Sequence, residues 1–92
     1  MFTERKPGQP IVYVRRHSPG NILDDSINDG NSVKLRIENE RVLVRDIEST
    51  GNNNYKGIIY GFEPSFSTEF KGLKLDEEIS FGERHIFCCV KQ

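Results

Sequence analysis

Residues 55–62 have the sequence YKGIIYGF, a largely apolar run that contains two glycines four residues apart. Its aromatic and β-branched side chains favour a β-strand. A glycine weakens the interior of a strand unless the backbone there must bulge, bend or pass close to another group. We therefore predict a central strand over residues 55–62 that curves strongly at Gly57 and Gly61, as a strand at the corner of a small barrel does.

The segment before this strand has the pattern of a β-hairpin. Residues 32–38 alternate apolar and charged side chains, which predicts a strand with one buried face. Residues 41–48 continue the alternation, and Asn39-Glu40 between the two segments fits a tight turn because asparagine tolerates positive φ. Asp46-Ile47 then interrupt the alternation, which predicts a bulge or a change of face.

The rest of the chain supplies further strands and polar connections. β-Branched and aromatic residues predict strands at 11–16, 78–81 and 84–91. Residues 49–54, STGNNN, have the composition of a loop, and residues 63–72 that of a longer connection. Between the first two strands, Pro19 and apolar residues at helical spacing favour one short helical turn within 19–28.

These elements predict a mainly β or α+β fold: a partly open antiparallel barrel or strongly bent sheet of five to six strands, with at most one short helix. The 92 residues allow one domain, and we assign 1–10 to an extended N-terminal arm and 11–92 to a single β-rich domain. No apolar run approaches the ~20 residues that cross a bilayer, and the N-terminus lacks the apolar core of a signal peptide. We expect an intracellular protein of the cytoplasm.

A spaced pattern of glycines, aliphatic residues and aromatic residues covers the C-terminal part of the chain. It comprises Tyr55-x-Gly57-x-Ile59, Gly72-Leu73-x-x-x-Glu77-x-Ile79-x-Phe81 and Ile86-Phe87. This pattern resembles small β-domain proteins of bacterial mobile elements, including integron gene cassettes, in which an xGxI strand precedes a GLxxGDxVxF turn and a closing hairpin. The resemblance implies a compact, partly closed sheet and no activity. The chain departs from the pattern at Asp76, where the pattern has glycine.

The sequence predicts no catalytic residue, metal site or cofactor. Cys88 and Cys89 are adjacent, so on a strand they point to opposite faces and cannot form an unstrained disulfide. His85 and Cys89 share a face but lie about 13 Å apart along a strand, too far for a catalytic hydrogen bond. The acidic segment from Asp24 lacks the glycine and glutamate that a calcium loop requires. We expect a protein that is not an enzyme.

Protein binding is the function that the sequence favours. Only 35% of the residues are hydrophobic, so the core of a chain this short is small. The predicted strands 11–16 and 84–91 are apolar on both faces and would leave an exposed edge, which a second subunit could cover. We therefore predict a self-associating interaction module, a dimer that also binds another protein, as an accessory protein of a mobile element would. The candidate interface residues are Phe66, Phe70, Phe87 and Tyr13.

Two alternatives remain open. Small barrels bind single-stranded nucleic acid through aromatic side chains surrounded by cations, and the candidates here are Arg15, Arg16, Arg36 and Tyr60. The first 46 residues contain eight Lys and Arg against seven Asp and Glu, which argues against a basic stripe. We therefore rank nucleic acid below a protein partner. The second alternative is a small-molecule site in the mouth of the barrel.

Overall fold

Alternation of apolar and polar residues builds a mainly β fold, as the sequence predicts. The computed structural model describes residues 2–15, 26–65 and 67–91. The elements are β1 (Val12–Arg15), β2 (Ser32–Ile37), β3 (Glu40–Gly51), β4 (Asn54–Glu63), β5 (Glu69–Phe70), β6 (Leu73–Lys74), β7 (Glu78–Gly82), a 3₁₀ turn (Glu83–His85) and β8 (Cys88–Lys91).

Six of these strands form one mixed sheet in the order β1-β8-β2-β3-β4-β7, and β5 and β6 form a separate small hairpin. The six-stranded sheet does not close on itself, which confirms the predicted bent sheet or partly open barrel. One pair is parallel, β1 with β8, whereas the sequence predicts an antiparallel sheet. The prediction that β8 is an edge is wrong, because β8 returns beside β2 and lies between β2 and β1.

The apolar positions of β2 and β3 form the middle of the core. Val33 lies opposite Val44 and Leu35 opposite Val42, so these side chains share the inner face. They belong to one buried cluster with residues from the other strands. Its members are Val33, Leu35, Ile37, Val42, Val44, Ile47, Ile59, Phe62, Leu73, Ile79, Phe81, Ile86 and Cys89.

Two tight turns differ from the sequence prediction. In the β2–β3 hairpin the positive φ falls on Glu38, at 55°, and the turn is Glu38-Asn39 rather than Asn39-Glu40. The predicted loop 49–54 is wrong: β3 runs to Gly51 and β4 begins at Asn54. Asn52 and Asn53 alone make the turn, with φ of 54° and 61°. Two consecutive positive φ values are those of a type I′ turn, which suits the twist of a hairpin and the tolerance of asparagine for this conformation.

The predicted bulge in β3 is confirmed. The register between β3 and β4 shifts between Arg45 and Glu48, and Asp46 adopts a φ of 51°. The extra residue frees the backbone of Ile47, which bonds instead to Gly30 and Asn31 ahead of β2. The bulge lies opposite Gly57, so the glycine and the irregular part of β3 meet in the middle of the sheet.

The two ends of the chain meet beside the 3₁₀ turn. The predicted strand 84–91 is shorter than expected, because residues 83–85 form that turn and β8 starts only at Cys88. The N-terminal arm runs over this turn: the Phe2 ring packs 5.9 Å from the His85 ring, and the Arg5 amide donates to the Arg84 carbonyl. Of the predicted helical turn in 19–28, residues 26–28 are not helical and the rest lies outside the described residues.

Candidate interaction surface

The face of the sheet opposite the core carries a cavity of about 320 Å³, here named the basic pocket. Strand pairing places the side chains of Lys34, Arg36, Arg41, Cys88 and Val12 on the outside of β2, β3, β8 and β1, because each alternates with an inward-facing residue. Phe87 precedes β8 and reaches the pocket from that segment. Three of the pocket residues are cations and three are apolar. The lining residues are Val12, Lys34, Arg36, Arg41, Phe87 and Cys88.

Arg36 and Phe87 form the centre of the basic pocket. The guanidinium carbon of Arg36 lies 4.4 Å from the centroid of the Phe87 ring, a cation–π arrangement. The Phe87 amide donates to the Lys34 carbonyl at 3.0 Å, which anchors the segment before β8 to β2. Phe87 is buried, so its ring is fixed by packing and forms the floor of the pocket. The Arg36 guanidinium rests on this ring.

The charges of the basic pocket are not balanced. Arg36 lies directly opposite Arg41 in the β2–β3 register, and like charges in that position destabilise a sheet. Glu63 lies 3.8 Å from the Arg41 guanidinium and 3.7 Å from the Lys34 ammonium, so one carboxylate serves two cations. No carboxylate of the described residues lies within ion-pair distance of Arg36. The pocket therefore carries a net positive charge.

Apolar side chains extend this surface in two directions. Val12 and Val14 of β1 are 59% and 46% exposed, and they lie beside Cys88 and Val90 of β8. We name these four residues the valine strip. The strip is continuous with the basic pocket because Val12 and Cys88 belong to both. Isolated apolar side chains are common on protein surfaces, but a connected group of this kind marks a candidate contact surface.

Tyr60 lies on the same outer face, on β4. The β3–β4 register shifts there, so Tyr60 is the extra residue of a second bulge and is 43% exposed. Partial burial raises the pKa of its phenol, and electrostatic interactions with Glu63 and Cys88 raise it further. The phenol therefore stays protonated at neutral pH and can donate a hydrogen bond beside the pocket.

The two cysteines take opposite faces, as the sequence predicts. Cys89 is buried in the core and Cys88 is half-buried at the basic pocket. Burial raises the pKa of both thiols, although Lys34 opposes the effect at Cys88 and Lys91 opposes it at Cys89. Both groups are therefore protonated at neutral pH and are weak nucleophiles.

The described residues offer no metal centre. Across residues 2–15, 26–65 and 67–91, no three His, Cys, Asp or Glu side chains come close enough to hold an ion. In the segment considered as a calcium loop, Asp29 accepts from the Ser49 amide and Asn28 accepts from the Lys91 ammonium. These side chains are used to fix the loop before β2.

The three predicted interface aromatics that the structure describes lie in different surroundings. Phe70 is half-buried and packs with a ring distance of 6.3 Å on Phe62, as a cover over the core. Phe87 is the floor of the basic pocket. Tyr13 is half-buried against the core, on the face of β1 opposite the valine strip. Phe66 lies outside the described residues.

Of the predicted nucleic-acid contacts, Arg36 and Tyr60 share the outer face. Arg15 ends β1, and Arg16 lies outside the described residues. Lys34 and Arg41, two further cations that the sequence offers in its first half, join Arg36 at the basic pocket. Their signal is the alternation itself, because residues 34, 36 and 41 all fall on the polar side of the predicted hairpin.

Comparison of the chain with protein-family models, curated proteins and solved structures finds no match. The resemblance to β-domain proteins of mobile elements stays a prediction. In the part of the chain that the structure describes, no helix has the length and apolar character to cross a membrane.

Proposed function

We propose that this protein is a non-enzymatic interaction module that self-associates and binds another protein. The observation that carries the proposal is the valine strip, where Val12 and Val14 expose about half of their surface side by side with the apolar outer positions of β8. Covering such a strip removes apolar surface from water, which is the main favourable term in most protein association.

A second copy of the same chain suits the strip. The strip is a small patch of two-by-two apolar side chains, and a patch of this kind can pack on itself about a two-fold axis. The added contact would enlarge the thin core of a 92-residue chain. A stable dimer requires a buried area of at least roughly 1,000 Å², so the contact must extend from the strip along β1, at the edge of the six-stranded sheet.

Light scattering coupled to size-exclusion chromatography tests the proposal. At tens of micromolar we expect the mass of a dimer for the native chain and of a monomer for Val14→Glu, because a carboxylate at the centre of the contact cannot be buried unpaired. The matched control is Ser80→Glu, which places the same charge on an exposed strand position in β7, at the opposite edge of the sheet. The control should remain a dimer. A native monomer at this concentration would reject self-association.

A further inference from the structure

Acidic and basic residues alternate along the sequence, but the fold separates several of them in space. The carboxylates nearest in sequence to the three pocket cations are drawn elsewhere: Glu38 pairs with the Lys71 ammonium at 3.3 Å, and Glu40 is buried and accepts hydrogen bonds from Ser65. The near balance of acidic and basic residues in the first half of the chain therefore does not apply to the basic pocket. A local anion site is compatible with a formal net charge of −1.

The pair of arginines that face each other on the outer side of the sheet would be stabilised by a bound anion. Arg36 and Arg41 repel each other across the β2–β3 ladder, and among the described residues the carboxylate that pairs with the pocket cations, Glu63, is shared between Arg41 and Lys34. An anion between the two guanidinium groups would convert the repulsion into charge-assisted hydrogen bonds. The contact with the Phe87 ring restricts the Arg36 guanidinium before any anion binds. This lowers the side-chain conformational entropy that is lost on binding.

We infer that the basic pocket binds a phosphate group of single-stranded nucleic acid, a function beyond self-association. Planar guanidinium groups bind phosphate oxygens in pairs. The apolar part of the pocket lining, Val12 and Phe87, suits a sugar or a base beside the phosphate. Tyr60 exposes its ring on the same face, where a neighbouring base can stack. A simple acidic peptide would use the cations but would leave this aromatic surface without a role.

Fluorescence anisotropy with a labelled oligothymidylate of about 12 nucleotides tests the inference. At low salt we expect binding in the range of tens of micromolar, weakening with a log–log salt slope between about −1.4 and −2.1 for two or three phosphate contacts. Arg36→Gln and Arg41→Gln should each lower the affinity about tenfold and make the slope shallower. Arg36→Lys keeps the charge without the planar fork and should fall between native and Arg36→Gln.

The matched control is Lys56→Gln on β4, which removes a half-buried cation that pairs with Glu48 at 3.6 Å, away from the pocket. Its affinity should equal that of the native chain. Circular dichroism melts verify that each variant is folded. Arg41→Gln is the informative variant here, because removing one of two opposed cations should leave the melting temperature unchanged or raise it while binding is lost.

Three competition arms identify the source of the anion. Unlabelled oligothymidylate should displace the probe, whereas thymidine monophosphate and an oligoglutamate peptide should do so only at much higher concentration. No binding at low salt, or equal loss in Lys56→Gln and Arg36→Gln, would overturn the inference. Equal competition by the nucleotide would reject a single strand as the ligand, and stronger competition by the peptide would assign the pocket to an acidic protein. Since Val12 and Cys88 belong to both the valine strip and the basic pocket, the same titration is run on the monomeric Val14→Glu variant. Binding by that variant tests the pocket independently of self-association.

Discussion

Gly57 lies so close to Val44 that a Cβ atom on the glycine would stand 2.5 Å from the Val44 Cγ1 atom. The same Cβ would lie 3.1 Å from the Arg45 carbonyl oxygen, on the backbone that leads into the β3 bulge. Gly61 is less confined, since its nearest neighbour would be the mobile end of Leu43 at 3.2 Å. The two glycines of the central strand therefore have different roles, and only Gly57 is required by close packing.

Substitution of Gly57 should destabilise the fold more than substitution of Gly61. We expect Gly57→Ala to lower the free energy of unfolding by about 1–3 kcal/mol, the usual cost of overpacking a core, and Gly57→Val to lower it further. Gly61→Ala should cost less than about 1 kcal/mol, because the Leu43 side chain can rotate away. Urea denaturation of the three variants measures the difference. Equal midpoints for Gly57→Ala and Gly61→Ala would contradict this account.

The parts of the fold predicted from sequence are those with a local periodic signal. The alternation of Val33, Leu35 and Ile37 predicts which face of β2 is buried, and its interruption at Asp46 predicts the bulge. Each of these patterns depends only on neighbouring residues. The parallel pairing of β1 with β8 joins the two ends of the chain, and no local pattern encodes it. The type I′ turn at Asn52-Asn53 has a local signal, but four polar residues around it have the composition of a longer loop.

The sequence predicts individual residues of the candidate site but not how they are arranged relative to one another. Arg36 and Tyr60 are cation and aromatic in the sequence, and both lie on the outer face. Arg36 lies opposite Arg41 only in the observed register of the hairpin. A turn placed one residue later along the chain would change this register and put another residue opposite Arg36. That Phe87 lies beneath Arg36 depends on the pairing of β8 with β2, a contact between residues distant in the chain.

Asp76 occupies the left-handed region, with a φ of 66°. In the β-domain pattern that the sequence resembles, this position is glycine. The Asp76 side chain is exposed and lies 3.8 Å from the Arg45 guanidinium, a contact of little energetic value at the surface. Asp76→Gly should therefore preserve or slightly raise the melting temperature, whereas Asp76→Val should destabilise by about 1–2 kcal/mol because a β-branched side chain resists positive φ. Asp76→Asn removes the charge but tolerates this φ, and should match the native chain. Destabilisation by Asp76→Asn equal to that by Asp76→Val would instead assign the effect to the ion pair.

His85 makes the stability of the fold depend on pH. Its Nδ1 accepts a hydrogen bond from the Gly82 amide at 2.9 Å, so the neutral ring is the form that fits. Burial lowers the pKa of His85 below its usual value of 6.5, and the charge of Arg84 lowers it further, although Glu4 opposes the shift. His85 therefore binds a proton more readily in the unfolded chain than in the folded chain. Its contribution to the free energy of unfolding is fully present above its pKa in the unfolded chain, and is lost as the pH falls through its pKa in the folded chain.

The melting temperature should accordingly fall between about pH 7.5 and about pH 5.5, where histidine titrates. The His85→Gln variant keeps a polar side chain near the Gly82 amide but does not titrate, so its melting temperature should change less over the same interval. If the melting temperatures of the native chain and of His85→Gln fall equally with pH, His85 is not the cause of the pH dependence.

Glu40 is a buried carboxylate that anchors the start of β3 to the segment after β4. It is 7% exposed, and its Oε2 atom accepts from both the amide and the hydroxyl of Ser65. Glu40→Ala leaves these donors without their acceptor and should lower the free energy of unfolding by about 1–3 kcal/mol. Glu40→Gln retains an acceptor oxygen and should cost less. Glu48→Ala is the control, because Glu48 is exposed and pairs only with Lys56, a surface contact worth about 0–1 kcal/mol. Urea denaturation ranks the variants, and a Glu40→Ala loss no larger than that of Glu48→Ala would show that the buried contact does not stabilise the fold.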